Sequence, residues 1–89
     1  MEEEAKIVAK SIKDEICEIF NRGHTRVGVS VNDIKGHIEI SEHQLLDMVI
    51  NTQGGLVVIY DTNNDRRILV HPRTAFGIRH LIFGPDGYV

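Results

Sequence analysis

One apolar stripe constrains this chain more than any other feature. From Glu2 to Phe20, the residues Ala5, Val8, Ala9, Ile12, Ile16, Ile19 and Phe20 recur at three- and four-residue steps, the spacing that lines one face of an α-helix. Lys6, Lys10, Lys13, Asp14 and Glu18 fall mainly on the other side. Glu2, Glu3 and Glu4 suit the positive end of the helix dipole. Asn21-Arg22-Gly23 closes the helix, with Gly23 free to adopt the left-handed conformation. A stripe of this kind needs a second layer to cover it, and only 89 residues are available in all. That length predicts a single domain over 1–89. A chain of this size buries about 60–70% of the surface its unfolded form exposes, so the core is small and a deep catalytic pocket is not expected.

The remainder of the chain changes period. Arg26-Val27-Gly28-Val29-Ser30-Val31 alternates, with its valines on one face, and predicts a short strand near 26–30. Ser30 with Asp33 resembles a capping box with Asp in place of Glu or Gln. It starts a two-turn helix over 31–38, with Ile34 and Ile38 inward and Gly36 weakening it by ~1 kcal/mol relative to alanine. Ile40 and Ser41 set up a second cap for a helix over 42–52, which is expected to bury Leu45, Met48 and Val49, with Leu46 or Ile50 at its margin. Gly54-Gly55 breaks that helix. Two β-branched runs across the turn residues Asp61 to Asp65 then predict a β-hairpin over 55–60 and 66–71, and Pro72 ends its ladder. Thr74 to Phe83 suits either a short helix capped by Thr74 or an extended strand. Gly84-Pro85-Asp86-Gly87 reads as a turn. Residues 73–89 form a C-terminal extension, and the chain has no repeat, linker or low-complexity segment.

Ser30, Ile34, Ile38, Ile40, Ser41, Leu45 and Val49 keep a spacing that resembles the helix–turn–helix of the winged helix-turn-helix superfamily, and Gly55-Leu56-Val57 resembles the glycine–hydrophobic–hydrophobic step into its wing. The resemblance covers residues 30–70, with the N-terminal helix as the usual first helix. It implies an α+β fold of three helices plus a β-hairpin wing. It also implies a small, dimeric DNA-binding protein, a transcriptional regulator contacting duplex DNA through the wing and third helix. The alternative it carries is a winged-helix protein–protein interaction module within a larger complex.

Charge distinguishes these readings. The chain carries a net −3. Residues 1–21 are acidic, whereas Arg66 to His80 holds Arg66, Arg67, Arg73 and Arg79 without an acid. The candidate nucleic-acid-binding residues are Arg66, Arg67 and Arg73 in and after the wing, with His43, Gln44 and Asn51 on the third helix. Arg26 and Lys35 could add phosphate contacts. The expected exposed face of the third helix carries Glu42 and Asp47 and no Arg or Lys, which suits base readout poorly. Arg66 and Arg67 alternate across a strand, so one of them could enter a minor groove. Charges on an exposed edge also discourage sheet-to-sheet aggregation. Phe76, Ile78, Leu81, Ile82, Phe83, Tyr88 and Val89 either complete the core or offer residues 73–89 to a second copy or a protein partner.

Other chemistry finds little support. Cys17, His24, His37, His43, His71 and His80 show no ligand pair at zinc spacing, so no metal and no cofactor are expected. Cys17 reads as a half-buried small hydrophobe. Asp61, Asn63 and Asp65 mimic the first half of a calcium loop, but Arg66 and Pro72 stand where that loop needs glycine and glutamate. No phosphate loop, nucleophile elbow or carboxylate pair appears, so an enzyme is not expected. No apolar run approaches the ~20 residues of a membrane span. The acidic start and single cysteine suit a cytoplasmic protein.

Overall fold

The N-terminal stripe folds as its spacing predicts. In the computed structural model, which describes residues 2–31, 36–73, 79–84 and 87–88, helix α1 runs Glu2–Asn21 and buries Ala5, Ala9, Ile12, Ile16 and Ile19. Gly23, at φ +100°, donates its backbone N–H to the Phe20 carbonyl at 2.9 Å and ends the helix. Cys17 is exposed rather than half-buried, because it stands one position past the stripe residue Ile16.

Two antiparallel sheets supply the second layer. In the first, β1 (Arg26–Ser30) lies between β2 (Ile38–Ser41) and β6 (Arg79–Gly84), and β7 (Gly87–Tyr88) pairs with β6. Registers Val27↔Ile40 and Val29↔Ile38 set four buried side chains on one face. Of the two readings for Thr74 to Phe83, residues 79–84 take the strand, paired with β1; residues 74–78 lie outside the described ones. Gly84 faces Gly87 across the β6–β7 pair.

The second sheet is β3 (Ile50–Gln53), β4 (Leu56–Asp61) and β5 (Arg66–Val70), in that order. Its hairpin β4–β5 occupies the segment predicted for it. Ile50, Val57, Ile59, Ile68 and Val70 turn to one side and join the α1 stripe and the first sheet in one core, with α1 lying chiefly across β3 and β4. The architecture is α+β: one long helix over two small antiparallel sheets.

The expected helix over 42–52 is reduced to one turn, α2 (Leu46–Val49), followed directly by strand β3. The cap does form in part, since Ser41 donates its backbone N–H to Gln44 Oε1 at 2.8 Å. The helix loses to a hairpin. Gly54 and Gly55 both have positive φ, +58° and +79°, and Gln53 pairs with Leu56 across them. That is the two-residue turn whose twist matches paired strands, and it draws Ile50 to Gln53 onto β4. Intrinsic helix propensity is a weak prior against such pairing. The buried set shifts accordingly: Val49 and Ile50 are buried, whereas Leu45 and Met48 are 68% and 69% exposed.

The helix predicted over 31–38 does not extend to its end. Gly36 sits at φ +88°, outside helical space, and Ile38 opens β2, where it faces Val29. Residues 32–35, including Ile34, Asp33 and Lys35, lie outside the described ones. The first strand, predicted near 26–30, forms β1 and joins β2 and β6 rather than the β4–β5 hairpin.

Candidate interaction face

The hairpin loop is organised by one buried carboxylate. Asp61 closes β4 at 1% exposure and accepts hydrogen bonds from the backbone N–H of Asn63 (3.2 Å) and Asn64 (3.4 Å), from Asn64 Nδ2 (2.8 Å) and from Arg66 Nε (3.2 Å). Burial alone would raise its pKa, but the Asn64 amide, Arg66 and the two backbone donors outweigh it and hold the carboxyl below the usual range. Next to it, the Tyr60 hydroxyl donates to Asp65, and that bond pushes the phenol pKa up. Asp65 itself adopts φ +48°, a conformation that Asp tolerates better than most residues. Gln44 reaches the same loop, donating Nε2–H to Thr62 Oγ1 at 2.7 Å.

Strand alternation divides the second sheet cleanly. The inner side faces α1. The outer side presents Asn51 and Gln53 from β3, Leu56, Val58 and Tyr60 from β4, and Arg67 and Leu69 from β5, by the registers Asn51↔Val58, Gln53↔Leu56, Val58↔Leu69 and Tyr60↔Arg67. Leu69 is 56% exposed. Met48 borders this side, where with Asn51, Thr52, Gln53, Val58, Tyr60 and Arg67 it lines a shallow cavity of about 280 Å³. On this outer side Met48 and Leu69 are exposed, Leu56 and Tyr60 are half-buried, and Val58 between them is buried.

The residues singled out from sequence scatter over this framework. Arg67 and Asn51 share the outer side; Arg67 Nη1 donates to Gln53 Oε1 at 3.1 Å, and Asn51 Nδ2 donates to the Asp47 carbonyl. Arg66, itself exposed, pairs with the buried Asp61 at 3.2 Å. Gln44 serves the turn and the loop, and His43 is exposed in the turn before α2. Arg26 is on the other sheet, paired with Glu39 at 3.2 Å. Arg73 stands 3.8 Å from Glu4. No continuous cationic surface joins these groups among the described residues. Of the five arginines whose side chains are described, Arg22, Arg26, Arg66 and Arg73 have carboxylate partners, and Arg67 has a neutral amide.

Sequence reasoning missed Met48 and Leu69 as exposed apolar residues, with Tyr60 half-buried beside them. The signal was present: Val49-Ile50-Asn51-Thr52 before Gly54-Gly55, followed by Leu56 to Tyr60, is a hairpin pattern in its own right. Compared with protein-family models, curated proteins and solved structures, the chain matches none. No helix among the described residues is long and apolar enough to cross a membrane.

Proposed function

We propose that this chain is a protein–protein interaction module that docks its partner on the outer side of the β3–β4–β5 sheet. The observation carrying this reading is the pair of apolar side chains Met48 and Leu69, each more than half exposed on the side turned away from α1. Exposed apolar surface bordered by polar groups is characteristic of docking sites. The charge pattern supports the same reading. Affinity for duplex DNA rests on cations that neutralise phosphates, and here four of the described arginines already have carboxylate partners. A regulator that contacts DNA through its wing would retain chiefly Arg67, and one turn of α2 offers little to a major groove. The relation to winged helices is proposed on element order: α1, β1, α2 and the β4–β5 hairpin stand in for first helix, first strand, third helix and wing.

Two measurements test this. Fluorescence anisotropy with a mixed-sequence duplex across a salt series should show no binding near physiological salt. Affinity capture should yield a partner with the wild-type chain that a Met48→Asp/Leu69→Asp variant fails to retain. Micromolar DNA binding with a negative salt slope that Arg67→Glu flattens would restore the regulator reading. Capture indifferent to the double variant would remove the sheet face as the docking site.

A further inference from the structure

Resting on the interaction reading above, we infer that the partner segment places an apolar side chain in the cavity beside Met48 and Val58 and sets a carboxylate on Arg67. The cavity, about 280 Å³ with Met48 and Val58 among its lining residues, has room for one large side chain. Arg67 borders it and supplies its charge. A guanidinium presents paired donors that match the two oxygens of a carboxylate. Among the described residues Arg67 is held by the neutral oxygen of Gln53, at 3.1 Å. Among the described acids, Asp61 pairs with Arg66, Asp47 pairs with Lys13 at 2.9 Å, and Asp65 accepts from the Tyr60 hydroxyl. No carboxylate pairs with Arg67 among the described residues, and the complementary charge is assigned to the partner.

The register limits the spacing of the two partner groups. Val58 faces Leu69 directly, so Arg67 lies on its diagonal, about 7–8 Å away. An extended chain rises ~3.3 Å per residue, so the acid belongs about two residues from the apolar anchor.

The test uses a displayed library of short random peptides, selected on the purified full chain and resynthesised for titration. The expected outcome is enrichment of peptides with a large apolar residue and an Asp or Glu two residues away. Their affinity should fall roughly tenfold or more, about 1.4 kcal/mol, on Arg67→Glu, and also fall on Met48→Ala. Exchanging the peptide acid for Lys should recover binding to the Arg67→Glu variant. Both substitutions are at exposed positions, and circular dichroism verifies that the variants are folded. Failure to enrich any peptide overturns the inference, as do enriched peptides that lack an acid. Peptides indifferent to both substitutions overturn it while leaving the interaction module standing, because they dock elsewhere. Arg67-dependent binding to duplex DNA overturns both.

Discussion

Replacing Asp61 separates the contribution of one buried carboxylate from that of the sheet around it. The side chain is almost fully buried and accepts four hydrogen bonds, one of them from Arg66. In Asp61→Ala the four donors lose their acceptor. Asn63, Asn64 and Arg66 are exposed, so water replaces much of what is lost, and relief of the buried charge offsets part of the rest. With hydrogen bonds to charged groups worth ~1.5–3 kcal/mol and neutral ones less, the net cost is about 2 kcal/mol. For a chain of this length that lowers Tm by about 8–16 °C. Asp61→Asn keeps an acceptor but loses the charge, and should cost about half as much. The sign with pH follows from the depressed pKa. A carboxyl held below its unfolded value stabilises the fold above that value, about 3.9, and loses the contribution as pH falls through the folded value. The gap between wild type and Asp61→Asn should therefore be constant above about pH 5 and close as the pH drops below about 4. Urea unfolding followed by far-ultraviolet circular dichroism at a series of pH values measures both quantities. An Asp61→Ala variant within about 0.5 kcal/mol of wild type, the ordinary range for a surface substitution, refutes the anchoring role. A gap that persists unchanged in acid refutes the electrostatic argument.

Other perturbations probe the remaining links. Ile59→Ala, at a fully buried position, should cost about 2–5 kcal/mol, whereas Leu69→Ala on the open side should stay within about 0.5 kcal/mol; urea midpoints compare them, and equal losses would mean that Leu69 is not at the surface. Gly54→Ala meets no steric obstacle, so its cost is conformational, roughly 1–2 kcal/mol for a left-handed alanine, with Gly54→Asn recovering part of it in the same unfolding assay. Tyr60 should ionise above its usual pH, and absorbance titration near the phenolate band should show that step moving down in Asp65→Asn. Because the raised pKa favours the neutral phenol, the stabilisation from this pair is complete below the unfolded tyrosine value and disappears as pH rises through the folded one.

Much of the fold was legible because two periods were strong. The three- and four-residue spacing of Ala5 to Phe20 could be satisfied only by a helix, and it needed no knowledge of what would cover it. Alternation at Val27 and Val29, and the runs on either side of Asp61 to Asp65, marked β1 and the β4–β5 hairpin in the same way. The segment 42–52 reads as a helix because Leu45, Met48 and Val49 fit a helical stripe, although Val49, Ile50 and Thr52 are β-branched and suit a strand. Pairing with β4 through the Gly54-Gly55 turn decided between them. A candidate site read from charge fared differently. The arginines were visible, but whether each was free depended on Asp61, Glu39 and Glu4, and the latter two lie far from their partners in sequence.

The sequence by itself determined the helix, the hairpin, the turn residues and the acidic-to-neutral charge gradient, because each depends on neighbours within a few positions. Only the tertiary structure decided that β1 joins β2 and β6, that Met48 and Leu69 face solvent, and that Arg67 alone of the described arginines is left with no carboxylate. Those outcomes depend on which strand edges pair and which face of the sheet α1 covers, and such choices are settled by long-range packing that no local pattern encodes.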